Sequence, residues 1–421
     1  MYTASAAMLE ALQEAGVSYI FANFGSDHPA LIEAIAEARS LDRPIPAVVT
    51  CPNEMVAMTC AHGYAQLTGR AQAVVVHVDC GTQALGGAVH NAAKARIPMF
   101  VFAGLSPATQ EGEATGSRNE FIQWIQDVPD QRGIVRQYMK YDNELRNAGN
   151  VKQIVHRSLQ LAHSDPKGPV YLVGAREVME AETQSVAIDV AEWPPIAPIP
   201  LAEADVANLV DAVQKATRPL IVTSSVGRNP AAVTELVRFC SRLGVGVLES
   251  VPSYVNFPHS DPKGPVYLVG AREVMEAEST RVAIDVADWP PIAPVALGEA
   301  AVASLIDAIQ RAARPLIVTS YVGRNPVAVD ELVRFCGRLG VGVLESVPST
   351  VNYPHNDPMY QGNHWNHPFQ NRALGEADFI LVVDSDVPWI PTVSKPSDGG
   401  EIAIIDVDPL KQSTPLWSIK A

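Results

Sequence analysis

The chain has 421 residues, a formal net charge of −15 and a pI of about 5.1, a length that allows two or three domains with sizeable cores. An acidic surface argues against nucleic acid or an anionic membrane as partner, and the sequence has no apolar run of about 18 residues that would span a bilayer. The opening MYTASAAMLEALQEAGV lacks a basic segment followed by an apolar one, so no signal peptide is expected, and five cysteines without CxxC spacing fit reduced thiols in a cytoplasmic protein.

Along the first 180 residues, apolar residues at helical spacing predict helices near 4–15, 28–38, 53–68, 82–95 and 150–162. Short β-branched runs between them predict strands at 18–22, 47–50, 73–78, 99–104 and 169–174. Near-continuous apolar strands separated by amphipathic helices imply a parallel sheet covered on both faces. The proline-dense VAIDVAEWPPIAPIPLAEAD then marks a linker before a helix that begins near Glu203. RPLIVTSSVGRNPAAVTELVRFCSRLGVGVLES follows as strand, loop, helix and strand.

The chain repeats itself at long range. HSDPKGPVYLVGAREVMEAE runs from His163 to Glu182 and returns from His259 to Glu278, and the full unit covers 163–258 and 259–354, 96 residues each and about 80% identical. Solenoid repeats are shorter, roughly 20 to 50 residues. The ends of this unit fall inside domains, because it holds the last strand of the first domain, the linker and the first half of the second. A tandem duplication joined at a short His-x-Asp-Pro similarity is therefore expected, in which 203–258 forms an extra βαβ piece and 263–270 repeats a strand whose place 167–174 already fills. Only the second copy runs on, through NRALGEADFILVVDSDVP and GGEIAIIDVDP, into a helix and two more strands. The expected fold is α/β, with two doubly wound parallel-sheet domains at 1–182 and 297–421 and a duplicated partial segment at 183–296.

Three predicted strand ends bring chemistry to one sheet edge, where ligands of open parallel sheets bind. Glu54 lies at a strand-to-helix junction in CPNEMVAMTCAHGYAQLTGR, where a carboxylate also complements a helix dipole. Gly25 offers a tight turn before Ser26, Asp27 and His28, although Ser26 or Asp27 fits equally as a plain N-cap. His77 and Asp79 precede Gly81 and Thr82, and His77 could equally be a half-buried structural side chain. No GxSxG elbow is present to suggest a hydrolase. His364 and His367 stand at i, i+3 without a matching Cys or carboxylate pair, so a loop is expected there rather than zinc.

Taken together, Glu54, Ala61-His62-Gly63-Tyr64-Ala65, Gly81-Thr82 and Asn91-Ala92-Ala93-Lys94-Ala95-Arg96-Ile97-Pro98-Met99 resemble the pyrimidine-binding domain of thiamine diphosphate enzymes. The acetolactate synthase and benzoylformate decarboxylase group is the branch resembled, and Arg314 to about Ile405 looks like the family's central domain. The resemblance implies that Glu54 hydrogen-bonds the cofactor's aminopyrimidine and favours the tautomer that makes a carbanion at thiazolium C2. It implies cofactor contacts at Gly25, Gly81 and Thr82, and substrate binding and proton transfer by Ser26 and His77. Attack on a 2-oxoacid, loss of carbon dioxide and protonation or condensation of the product would follow. Asn53 stands where the family commonly has His.

In such proteins a third domain with Gly-Asp-Gly holds the diphosphate and magnesium, and Gly-Asp-Gly does not occur in this sequence. Magnesium is therefore expected only with a diphosphate-binding domain, and nothing in the sequence supports FAD. Two functions stand: a thiamine diphosphate-dependent 2-oxoacid decarboxylase or acetolactate-forming carboligase, incomplete as this chain, or a non-catalytic paralogue that at most binds a partner. By resemblance, a homo-oligomer and a small 2-oxoacid substrate are expected.

Overall fold

Helix signals and strand runs in the first part of the chain become the elements α1 (Ala4–Glu14), β1 (Tyr19–Ala22), α2 (Pro29–Ser40), β2 (Ala47–Thr50), α3 (Glu54–Thr68), β3 (Gln72–Val76), α4 (Asp79–Ala84), α5 (Gly86–Lys94), β4 (Met99–Leu105), α6 (Ile122–Ile125), β5 (Tyr141–Leu145), α7 (Val151–His163), β6 (Pro169–Ala175) and α8 (Arg176–Glu180). This is a computed structural model, and it describes residues 1–196, 200–250, 296–364, 367–406, 408–409, 411 and 414–417. The six strands form one sheet in the order β2-β1-β3-β4-β6-β5, with every pairing parallel.

The apolar runs are explained by burial on both faces. On one face Ile20, Val75, Phe100, Phe102 and Leu172 pack with Met8 and Leu12 of α1 and Val155 and Leu159 of α7. On the other, α3 lies against β1 and β3 and buries Ala57, Met58, Ala61 and Ala65. Asn53 caps α3, its side chain accepting from Met55 N at 2.8 Å, and Gly69 ends the helix at φ 72°.

Three differences from the sequence expectation have physical causes. The single helix expected at 82–95 is two, broken after Leu85 where Gly86 takes φ 26°. β3 stops at Val76 instead of residue 78, which leaves His77 in the turn before α4. β5, whose sequence is YDNEL, carries too little apolar signal to read as a strand; among the described residues it pairs with β6 alone, at the sheet edge.

The chain divides into two compact units, Met1–Pro198 with Leu297–Ala421, and Ile199–Ala296. Within the second unit, α9 (Glu203–Lys215), β7 (Leu220–Thr223), α10 (Pro230–Leu243) and β8 (Gly246–Glu249) form a βαβ piece in which β7 and β8 pair in parallel. The strand expected at 263–270 lies outside the described residues. In the first unit the second copy gives α11 (Glu299–Arg311), β9 (Pro315–Thr319), α12 (Pro326–Leu339) and β10 (Gly342–Ser346), followed by β11 (Tyr360–His364), α13 (Arg372–Glu376), β12 (Phe379–Val383) and β13 (Glu401–Ile405). These strands make a five-stranded parallel sheet, β11-β10-β9-β12-β13. Its faces are covered by two separate apolar clusters, one around Ile309, Ile317, Val343 and Phe379 and one around Leu316, Val318, Leu344, Ile380 and Trp389. Both sheets are α/β and parallel only, as expected. Trp124 of α6 packs with Val387 and Ile390, and Thr392 Oγ1 donates to the Arg118 carbonyl at 2.9 Å, so the two sheets share a small apolar seam.

Candidate active site

In the first sheet the strand order reverses between β1 and β3: β2 lies on one side of β1, and β3 on the other. A topological switch of this kind opens a crevice at the carboxyl ends of the two strands. Three loops converge there: 23–28 between β1 and α2, the cap of α3, and His77-Val78 before α4.

Glu54 is the first residue of α3 and is buried, with 7% of its surface exposed. Its Oε1 accepts a hydrogen bond from Asn23 Nδ2 at 2.9 Å. The first turn of α4 comes close over this carboxylate because residue 81 is glycine: a Cβ there would lie 2.9 Å from His77 Cβ and 3.0 Å from Glu54 Oε1. Asn23 is a site residue that sequence reasoning missed, since FANFG carries no motif and its partner is 31 positions away.

His77 is the half-buried member of a tighter group. Its Nδ1 is hydrogen-bonded to Asp27 Oδ1, and the Asp27 side chain is almost wholly enclosed. Burial works against a charged His77, but the Asp27 hydrogen bond and the charges of Asp27, Glu54 and Asp79 outweigh it and raise its pKa above the usual histidine value. His28 is enclosed and its Nδ1 accepts the Gly25 N–H at 3.0 Å, so it is neutral with its proton on Nε2; burial holds its pKa down. Burial raises the Asp79 carboxyl, against the Cys80 N–H and the His77 charge. The ligand atoms of Asp27, His28 and His77 all lie within 4.8 Å of one another; the Nδ1 atoms of both histidines are hydrogen-bonded, while His28 Nε2 and Asp27 Oδ2 are buried without a hydrogen-bond partner.

The other sequence candidates divide. Ser26 Oγ is buried at the same edge without a hydrogen-bond partner, as is Asp79 Oδ1. Gly25 lies against His77, whose ring fills the space a Cβ would need. Thr82 is fully buried, and its hydroxyl is bonded to Tyr171 Oη at 2.7 Å, so it faces the sheet interior. His364 is buried in the second sheet with both ring nitrogens unpartnered, while the ring of His367 packs beside Phe369. Among the described residues no helix is long and apolar enough to cross a membrane.

The chain is an α/β protein in which a buried carboxylate at a helix start, with a glycine of the next helix against it, stands at a parallel-sheet switch point. Residues 2–134 match the N-terminal TPP-binding domain of thiamine pyrophosphate enzymes, and residues 302–414 match the central domain of those enzymes. The chain belongs to the thiamine pyrophosphate enzyme family. A thiamine diphosphate-dependent 4-hydroxybenzoylformate decarboxylase from Rhodococcus jostii RHA1 is 17% identical, in an alignment covering 99% of this chain and 59% of that one with a TM-score of 0.35. The chain thus spans 59% of the length of that solved relative.

Proposed function

We propose that this chain provides the pyrimidine side of a thiamine diphosphate site and works in decarboxylation of a small 2-oxoacid, with or without carboligation. The observation that carries the reading is Glu54: buried, held on one oxygen by Asn23, and approached by Gly81 at the start of α4, within the segment that matches the family's N-terminal domain. The residues fit the group on this ground. A flat ring with polar edges suits the place beside Glu54 where residue 81 carries no side chain, and it would be held by Glu54 and Gly81. When bound, thiamine diphosphate supplies a nucleophilic carbon and an electron sink for loss of carbon dioxide.

Glu54 keeps its second oxygen for a proton shared with a ring nitrogen of the ligand. Ser26 Oγ, buried and unpartnered, is suited to donate to a substrate carboxylate. His77 uses Nδ1 on Asp27, which leaves Nε2 to give or take a proton at the crevice. Magnesium would enter with the diphosphate, whose charge it offsets through oxygen ligands.

Carbon dioxide release from benzoylformate and from pyruvate by the purified full chain, with thiamine diphosphate and magnesium, tests the reading. Glu54→Gln is expected to lose about 10²- to 10⁴-fold, the usual worth of a placed proton-transfer group. Turnover unchanged by that substitution would sink the assignment of Glu54, and no turnover by the parent chain would favour the non-catalytic reading.

A further inference from the structure

The sequence offers Asp27 as a plain N-cap, yet the structure builds a small enclosure around it. Its side chain is buried, Oδ1 meets His77 Nδ1, and Oδ2, without a hydrogen-bond partner, lies 3.4 Å from His28 Nε2. Two glycines make the enclosure possible. A Cβ on Gly104, in β4, would overlap the Asp27 carboxylate, and a Cβ on Gly25 would overlap the His77 ring. Three separate pieces of backbone are therefore shaped to let one carboxylate reach one imidazole.

The electrostatics around the pair have one direction. Asp27 and His28 face His77 from the loop before α2, Glu54 from α3, and Asp79 from α4. His28 is neutral, since its Nδ1 accepts the Gly25 N–H, so the charges facing His77 are carboxylates. An imidazole whose Nδ1–H is given to a buried carboxylate is fixed in one tautomer and one ring orientation, and its protonated form is stabilised; the same logic orients the base of a catalytic triad.

We propose that Asp27 is a positioning residue for His77: it takes the Nδ1–H, turns Nε2 toward the crevice, and depends on Gly25 and Gly104 for the space to do so. The inference rests on the proposed reading, in which His77 moves a proton during turnover. The linkage sign comes from the raised His77 value: the pair's contribution to stability is complete below the unfolded histidine pKa of about 6.5 and is lost as pH rises through the higher folded value.

Histidine-selective ¹⁵N NMR on the full chain, without cofactor or substrate, tests the proposal, with His77→Gln assigning the signal. The parent His77 is expected as the Nδ1–H tautomer when neutral, with a midpoint above about 6.5. Asp27→Asn should lower that midpoint and release the tautomer. Gly104→Ala should act in the same direction, because its methyl displaces the carboxylate without changing its charge. In turnover, Asp27→Asn should lower kcat by about 10²-fold or more with little change in KM, and move the His77 limb of the pH profile downward. An Nε2–H tautomer at His77 in the parent chain overturns the proposal even if Asp27→Asn and Gly104→Ala do not fold, as does a midpoint untouched in Asp27→Asn. If the tautomer is Nδ1–H but the parent chain shows no turnover, the catalytic role falls together with the proposed function. If Glu54-dependent turnover stands while the tautomer is Nε2–H, only the Asp27 inference fails.

Discussion

β7 and β9 are built from the same letters, LIVT, and each is followed by a 3-10 turn, an Asn-capped helix and a second parallel strand. Asn229 and Asn325 each accept from the backbone N–H two residues on at 3.1 Å, and Gly244 and Gly340 end their helices at φ 68° and 69°. The surroundings differ. Leu220, Val222 and Leu248 are 59%, 58% and 52% exposed, whereas their counterparts Leu316, Val318 and Leu344 are 3%, 0% and 0% exposed. The cover on the second copy comes from residues downstream of it: β12 pairs along β9, β11 along β10, and Leu374, Ala377 and Trp389 close the face. Local structure is set by the local sequence, while burial is set by neighbours that, among the described residues, only the second copy has.

The energetic consequence is large for so small a sequence difference. Covering one Leu or Val side chain contributes roughly 1.5–3 kcal/mol, so three bare ones withhold an amount comparable with a domain's whole margin of about 5–15 kcal/mol. A two-stranded sheet is marginal by itself. Hydrogen exchange should show the contrast most strongly: amides of β9 and β10 are expected to exchange on the order of 100-fold or more slowly than those of β7 and β8. Equal protection in the two pairs would mean that β7 and β8 are covered in solution and would break the comparison.

Substitution sharpens it. Leu316→Ala should destabilise by about 2–4 kcal/mol in urea melts, since it empties a closed apolar site between α13, β12 and β9. Leu220→Ala, at the same place in the first copy, should stay within about 0.5 kcal/mol, because an exposed side chain leaves no cavity. Similar losses from both would show that the two copies share one kind of core.

The same distinction marks what the sequence disclosed. Strands buried on both faces, such as QAVVV in β3 and MFVFAGL in β4, were legible as apolar runs. β5 and β11 were not, because YDNEL and YQGNH carry their pairing in the backbone and few apolar side chains. At the site, Glu54, His77, Ser26, Gly25 and Gly81 stood at strand ends, where topology makes residues informative. Asn23 and Asp27 stood there too, but their roles depend on partners 31 and 50 residues distant. Gly104 gave no signal at all, since its value is the space it leaves for Asp27.

The duplicated cysteines offer the finest probe of the two environments. Cys240 and Cys336 occupy the same position in α10 and α12, within RFC and before RLG, and both are buried. Burial raises both thiols, but in Cys336 burial, with the charge of Asp357 added, pushes the pKa up to about 12. A thiolate is the reactive form, so its scarcity and its enclosure act together. Cys240 therefore has two routes to labelling: a larger thiolate fraction in place, and opening of a half-domain in which Leu220, Val222 and Leu248 are exposed. Iodoacetamide labelling of the native chain, with peptide mapping afterwards, should modify Cys240 at least about tenfold faster than Cys336, the rate ratio that corresponds to about 1.4 kcal/mol of easier access. Since the flanking letters are nearly the same, a ratio near one would place the difference between the copies only in the exposed strand face, and a large ratio would extend it to the helix behind.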